Sequence, residues 1–483
     1  MLNKIFLKNN LWIYLISFTF IAINTFCITQ EFFWFNVIPL IFLIVFFSVF
    51  SLKNFLFFIV FVTPLSIPLK EYVPNLDFDM ALPTEPLLFG VMLLFFLKLA
   101  IEKKFDKKIL KHPISISIYL NIFWIFITSL TSSMPLVSFK FFMGRVWFLV
   151  AFYFLASQLF TNLRNIKKYI WLYIIGFLIV IFYTINRHAS FGFLDQEAAA
   201  WVMFPFLNDH TIYGALLAMI LPILIGFTFF SESSFKIKTL NFILIIIFTF
   251  ATILSYTRAA WLSLLGALGI WIIILLKIKF RTVLITFFTI SILLFVFWTK
   301  IFIELEKNNQ DSSTDFAEHI QSMTNISSDA SNLERINRWN SAMRMFIERP
   351  FFGFGPGTYM FQYAPFQFSY EKTIISTNAA DGGNAHSEYI GPMAESGIFG
   401  LLTFLGIIFT TIYTALKVYN NSKNKEIRML AICIILSLIT YYLHGFLNNF
   451  LDTDKASVVF WGFTAIIAVL DINKKKLILI KKN

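Results

Sequence analysis

Charge is scarce in this chain. Only 14% of its 483 residues are Asp, Glu, Lys or Arg, and 58% are hydrophobic. A soluble domain carries about 25% charged residues, so the composition excludes an ordinary water-soluble fold. Cysteine is nearly missing. Cys27 and Cys433 are the whole supply, each inside an apolar run, which excludes a disulfide framework and a thiolate metal site. There is no HExxH pair, no cysteine pair and no clustered DxD, so the sequence offers no metal centre and implies no cofactor. Short alternating segments of the kind that build membrane barrels are lacking too. No internal repeat is visible.

What is present is apolar length. The mean hydropathy is +0.75. The apolar residues come in runs of roughly 18 to 25, enough to cross a hydrocarbon core of about 30 Å. About fourteen candidate spans follow from length and hydropathy. They lie near 11–30, 32–50, 55–69, 86–101, 113–131, 136–160, 168–186, 210–230, 238–256, 258–276, 281–300, 397–416, 428–447 and 456–472. The run at 55–69 is short and holds Pro64 and Pro68, which fits a re-entrant segment equally well. Lys4 and Lys8 precede the first run, but no small-residue cleavage site follows, so it reads as an uncleaved span. The expectation is an all-α, polytopic transmembrane helical bundle of about 12–14 spans.

The net charge of +12 would suggest nucleic acid in a soluble protein. Here the Lys and Arg fall in short loops. With the N-terminus in the cytoplasm, the inside segments are Lys53, 102–111, Arg164 to Lys168, Lys236/Lys238, Lys277 to Arg281, 417–428 and the tail from Lys474. All are basic. The opposite loops, 70–85, 187–209 and 448–454, are acidic or near neutral. This is the positive-inside pattern. It puts both termini in the cytoplasm and the long 301–385 loop on the other side, and it calls for membrane lipid and not nucleic acid as partner.

That loop is the one stretch large enough to fold outside lipid. It opens polar, with NNQDSSTD near 308–315. Ser331-Asn332-Leu333-Glu334 then fits a capping box. Leu333, Ile336, Trp339, Met343, Phe346 and Ile347 fall on one helical face, and Pro350 ends the helix. Such an amphipathic helix lies at the membrane surface or against the bundle. Gly353, Gly355, Pro356 and Gly357 form a tight turn. The turn follows a helix and not a strand, so it is no nucleotide-binding loop. Three parts follow: a transmembrane bundle at 1–300, the loop at 301–385, and further transmembrane helices with a basic tail at 386–483.

Five residues carry candidate chemistry. Arg145 lies inside a span, where a charge is costly and is aimed at a cavity or a partner, or else snorkels. Arg258 sits on a hairpin on the side where the positive-inside rule disfavours it; it binds an anion or caps the preceding helix. Arg335 and Arg338 stand together on the amphipathic helix. They either solvate it or present guanidinium forks, which match phosphate bidentately. His386 follows Gly382-Gly383-Asn384 at the start of the next span and titrates near neutral pH, so it can take a proton from a hydroxyl. A lone His is usually structural; the company of arginines singles this one out. His112 falls on the cytoplasmic side, His188, His210 and His319 in less organised outer surroundings, and His444 is a second candidate.

These pieces resemble the O-antigen ligase and O-antigen polymerase superfamily of bacterial membrane glycosyltransferases. The resemblance rests on Ser255-Tyr256-Thr257-Arg258-Ala259-Ala260-Trp261, Arg335 before Trp339, Arg349-Pro350 with Gly353-Phe354-Gly355-Pro356-Gly357, and Ala385-His386-Ser387-Glu388-Tyr389 through Glu395-Ser396-Gly397-Ile398-Phe399-Gly400. It covers 255–401; the first eight spans match only in being spans. It implies metal-independent glycosyl transfer at the periplasmic face of the inner membrane. The donor would be a glycan on undecaprenyl pyrophosphate, and the acceptor a sugar hydroxyl on lipid A–core for a ligase or on a second lipid-linked repeat for a polymerase. By match of motif His386 would be the catalytic base and Arg258 and Arg335 the pyrophosphate ligands, with Arg338 and Arg145 as further ones. The family's His-Asn pair is His386-Ser387 here. Ligase is slightly preferred over polymerase. A lipid-linked glycan flippase explains the spans but not the grouped Arg and His, and transporters often show paired repeats.

Overall fold

The computed structural model describes residues 2–30, 51–71, 80–102, 105–232, 234–279, 330–373, 376–377 and 383–473, together with 281, 282, 285 and 289. The chain divides into two units, Met1–Phe58 and Ile59–Asn483. The first unit carries α1 (Leu2–Thr29) and the start of α2 (Leu52–Val62).

The second unit is helical, with one small sheet in which Ile67–Pro68 pairs antiparallel with Ala81–Leu82. Its long helices are α3 (Thr84–Glu102), α4 (Pro113–Leu130), α5 (Pro135–Leu159), α6 (Leu163–Phe191), α7 (His210–Phe229), α8 (Phe235–Leu254), α9 (Arg258–Leu275), α10 (Ala330–Glu348), α11 (Ile390–Asn421), α12 (Lys425–His444) and α13 (Asp454–Ile472). All but α10 are long and apolar enough to span a membrane, which makes ten among the described residues. In lipid a helix satisfies its own backbone groups, so apolar runs of this length fold this way.

These ten match ten of the fourteen expected spans. Of the other four, the run at 55–69 ends as helix at Leu65, and the run at 11–30 falls in α1, of which Ser17–Thr29 is apolar helix among the described residues. The runs at 32–50 and, for the most part, 281–300 lie outside the described residues.

The centre of the bundle is α7, α12 and α13, whose apolar windows are 83%, 83% and 89% buried, while α8 and α9 at 28% and 22% lie at its edge. Glycines allow close approach at the centre. Gly226 of α7 passes Cys433 of α12, and Gly462 of α13 passes Tyr169 of α6, with no room for a methyl group at either glycine. Polar glue adds to the packing, as expected where lipid supplies no hydrophobic drive between helices. Ser437 Oγ donates to the Met219 carbonyl, and Tyr169 Oη donates to the Val458 carbonyl.

The two ends of the bundle differ. At one end Lys167 pairs with Glu426 at 2.6 Å and Lys417 with Asp471 at 2.9 Å, and His112 lies 3.5 Å from the same Asp471. The segments expected to be cytoplasmic therefore meet one another. The opposite end carries α10 and the turns that surround it.

Candidate functional site

The site is built around a break in α11. Gly397 has φ +66° and ψ −168°, a conformation essentially confined to glycine. The break frees backbone groups, and the Pro350–Gly357 turn takes them up. Ile398 N donates to the Pro350 carbonyl at 2.9 Å, Phe354 N to Ala394 at 3.1 Å and Gly355 N to Glu395 at 2.8 Å. The hairpin between α4 and α5 holds the turn from the other side: Ser133 N and Oγ both donate to the Phe354 carbonyl, and Ser138 Oγ donates to Pro356. The glycines of the turn serve this docking. A methyl group on Gly353 would strike the Glu395 backbone, and one on Gly355 would strike Ser132.

The docked turn anchors the folded part of the loop. Here the structure departs from the expected helical face. The buried side of α10 is Glu334, Asn337, Arg338, Ser341, Ala342 and Met345, while Ile347 of the apolar stripe is 71% exposed. The surroundings of a membrane protein reverse the usual rule: an apolar stripe can face lipid while the polar face packs inward. Nor does Glu334 close a capping box, since α10 already begins at Ala330. Its carboxylate accepts from Arg338 Nε at 2.6 Å and from the Thr373 and Ser376 hydroxyls. Burial alone would raise the Glu334 pKa; the Ser376 and Arg338 bonds prevail and hold it below the usual carboxylate value.

Arg338 is 4% exposed. Its Nη2 donates to Thr377, and its guanidinium lies 4.4 Å from the Tyr363 ring centre. Gly383 crosses over the same guanidinium with no space for a side chain. So Arg338 sits in the loop's interior, directly beneath the segment that leads to His386. Arg145 is also engaged: its Nη2 meets Asp452 at 2.8 Å, and it lines a small cavity with Glu388 and Glu395.

The segment after Gly383 gives each residue a separate task. His386 stands at φ +47°, a strained value for a residue with a side chain. Asn384 Oδ1 accepts from its backbone N at 3.0 Å and helps hold it there. Ser387 Oγ accepts from Tyr389 N and Ile390 N, just ahead of α11. Glu388 Oε1 accepts from Tyr441 Oη, Phe450 N and Leu451 N at 2.6–2.9 Å, which ties down the turn after α12. Tyr389 Oη donates to the Tyr442 carbonyl and its ring stacks on Phe446 at 4.3 Å.

His386 is largely buried and lies within electrostatic reach of Arg335, Arg338, Glu334 and Asp209. Burial first, then the Arg335 and Arg338 charges, push its pKa down to about 4, against Asp209 and Glu334. The imidazole is therefore neutral at neutral pH, with a lone pair to offer. Arg335 is likewise within reach of His210 and His444.

The hairpin before α9 joins the same group. Tyr256 is at φ +49°, and Thr257 Oγ1 donates to the His210 carbonyl at 2.7 Å. Gly214 gives Thr257 the space to approach α7. This brings Arg258, the first residue of α9, within reach of His210. Of the residues expected to act, Arg258, Arg335 and His386 thus converge at one end of the bundle. Arg338 lies behind them, and Arg145 is linked through Asp452 and the Glu388-stapled turn.

Sequence reasoning passed over Asp209 and His210 and placed His444 second. A local signal existed for two of them. Asp209 is the N-cap of α7, with Oδ1 accepting from Thr211 N and Ile212 N. His444 is followed four residues later by Asn448, whose amide lies 3.1 Å from its Nε2. Among the described residues no group of His, Cys, Asp and Glu is arranged to hold a metal ion.

Residues 242–405 match the family model described as O-antigen ligase. The chain is also 22% identical over 242 residues to an uncharacterized protein of Haemophilus influenzae, a match covering 50% of this chain and 59% of that protein. The chain thus spans less than two thirds of that relative's length. The family segment takes in Arg258, Arg335, Arg338 and His386, and leaves Asp209, His210 and His444 outside it.

Proposed function

We propose, on the premise that this multi-pass membrane protein belongs to the O-antigen ligase family through residues 242–405, that it is a periplasmic-face glycosyltransferase acting as an O-antigen ligase. It moves a glycan from undecaprenyl pyrophosphate to a sugar hydroxyl of lipid A–core. The observation that carries this reading is that three separated motifs reach one end of the bundle, with Arg335 within electrostatic reach of both His386 and His210 and Arg258 within reach of His210.

The chemistry follows from those groups. Arg258 and Arg335 hold the pyrophosphate, whose leaving oxygen gains charge as the anomeric C–O bond breaks. Guanidinium forks suit that charge without a metal ion. The acceptor hydroxyl attacks the anomeric carbon from the opposite face and its proton passes to His386. The electron pair of the broken bond stays on undecaprenyl pyrophosphate, and the new glycosidic bond has inverted configuration. A bound pyrophosphate also sets its negative charge against the Arg335 and Arg338 fields, which raises the basicity of His386 when the donor is in place. Arg338 supports the Gly383–His386 segment, and Arg145 secures the turn that Glu388 grips.

The test is a gel of surface polysaccharide and lipid-linked intermediates from a deletion strain, complemented with wild type or with His386→Ala. Bare core with accumulated long lipid-linked polymer is the expected outcome without the protein. Core bearing single repeats would assign a polymerase instead. A normal pattern from His386→Ala would remove His386 from the mechanism.

A further inference from the structure

We propose that a cavity between the starts of α3, α7 and α13 binds a neutral sugar ring of a glycan substrate, apart from the arginines that take the pyrophosphate. The inference rests on the transfer reading above and names the substrate group held at a second place.

The cavity has a volume of about 150 Å³, and an enclosed space of roughly that size takes a six-membered ring. Its wall is held by buried charge. Asp454, 1% exposed, accepts from the Ser66 hydroxyl at 2.6 Å and from the Thr84 hydroxyl. Lys455, 6% exposed, places Nζ 2.9 Å from Ser66 Oγ and 3.4 Å from Asp454 Oδ1. These bonds tie the turn after α2 to the starts of α3 and α13. Alongside, Ile67–Pro68 pairs with Ala81–Leu82, and Pro68 and Ala81 line the cavity.

The lining offers two kinds of surface. Met80, Phe206 and Ile212 supply apolar area, and Glu85, Asn208, Asp452 and Lys455 supply polar groups. Asp452 Oδ1 is taken by Arg145 at 2.8 Å, which leaves Oδ2 to a ligand. An ammonium has three N–H donors, and Lys455 spends two of them on Ser66 and Asp454. A sugar ring matches this surface. Its C–H faces pack on the apolar area, while its hydroxyls donate to the carboxylates and accept from Lys455 and the Asn208 amide.

Charge disfavours a phosphate here. Lys455 balances Asp454 and Arg145 balances Asp452, so Glu85 leaves the lining net negative. Lys140 acts on Glu85 from outside the lining. A phosphate would meet like charge. Geometry separates the cavity from the arginines as well. The His210 carbonyl accepts from Thr257, and Gly214 passes the same threonine. At about 100° per residue, His210 and Gly214 share that face of α7, and Ile212 points the opposite way, into the cavity. Thr257 and Arg258 therefore lie across a helix of about 10 Å diameter from it. Arg258, Arg335, Arg338 and His386 are not among the residues that line it.

The test is calorimetric titration of the full-length protein in lipid nanodiscs. The probes are the oligosaccharides that mild acid releases from the host's lipid-linked glycan and from its lipid A–core, and inorganic pyrophosphate. Wild type is expected to bind one of the two oligosaccharides, and which one assigns the ring to donor or acceptor. Glu85→Gln removes the unbalanced charge, and Asn208→Trp fills the cavity from an exposed position. Each is expected to weaken that binding about tenfold or more, with pyrophosphate binding within about twofold of wild type. If Glu85→Gln unfolds, Asn208→Trp decides. Binding of neither oligosaccharide by wild type, unchanged oligosaccharide binding in the variants, or an equal loss of pyrophosphate binding overturns the proposal. The transfer reading fails by a different sign, the absence of turnover in a wild type that still binds the oligosaccharide.

Discussion

Gly397→Ala is the sharpest test of the architecture, because it touches no charged or titratable group. At φ +66° and ψ −168° the backbone of Gly397 is in territory that costs any other residue about 1–3 kcal/mol. The added methyl group would also overlap the Phe351 and Pro350 carbonyls. Those carbonyls have little freedom to retreat, since Pro350 already accepts from Ile398 N at 2.9 Å. Relieving the clash means pulling the Pro350–Gly357 turn off α11. That breaks the bonds from Ile398, Phe354 and Gly355, each worth about 0.5–1.5 kcal/mol net. The expected loss is about 3–5 kcal/mol, held within the turn and the loop it anchors. Gly406→Ala is the control: it lies in the same helix with nothing within 4 Å of the added carbon, and alanine there is expected to stabilise by up to about 1 kcal/mol. The assay pairs denaturant titration of both variants in detergent with transfer activity. Gly397→Ala should unfold earlier, show new protease sites around 350–357 and lose transfer, while Gly406→Ala keeps wild-type activity. Wild-type stability and activity in Gly397→Ala would refute the docked-turn account.

Other consequences concern the chemistry. His386→Ala should lower kcat by about 10²–10⁴-fold with a smaller change in donor KM, as for loss of a general base; an unchanged kcat would exclude that role. His386 must be unprotonated to act, so activity is present above its pKa and lost below it. The acid limb of kcat/KM, which reports the free protein, is expected near pH 4, and the limb of kcat at higher pH, because bound pyrophosphate raises the imidazole pKa. Coincident limbs would contradict the charge argument. Arg335→Lys keeps the charge but not the fork, and should raise the donor KM by about tenfold; full activity with lysine would leave only a point charge to explain. Glu388→Ala removes the one oxygen that accepts all three bonds of the staple and should destabilise the turn after α12 by about 1–3 kcal/mol, read as a lower melting temperature with faster hydrogen exchange at 445–453.

The spans could be read from the sequence because a span needs only length and apolarity, which are local properties. The run at 55–69 failed to extend for a local reason as well, with Pro64 and Pro68 in it. The lock between the glycine turn and α11 was not readable in the same way. Gly353, Gly355 and Gly397 each announce an unusual backbone, but nothing local says that the carbonyls of Ala394 and Glu395 wait for the amides of Phe354 and Gly355. The α10 stripe was found correctly and its direction was not, because periodicity gives a face and not the medium it meets. Ile347 turns outward and Glu334, Asn337 and Arg338 turn in.

The site divides along the same line. Arg258, Arg335 and His386 stand out as charged or titratable residues in motif-rich stretches. Asp209 and His210 open α7 and His444 closes α12, so only the pairing of the two helices brings them to the same place. Glu388 and Ser387 lie beside His386 in the chain and do structural work there. Proximity in sequence to a candidate base was a poor guide to chemistry.

The most direct measurement is transfer by the purified full-length protein in detergent, with a lipid-linked glycan donor, lipid A–core acceptor and excess chelator present, following both undecaprenyl pyrophosphate release and the anomeric configuration of the product. The account predicts turnover that survives the chelator, an inverted linkage, and its loss in His386→Ala. A retained linkage, a requirement for added metal, or full turnover in His386→Ala would contradict it.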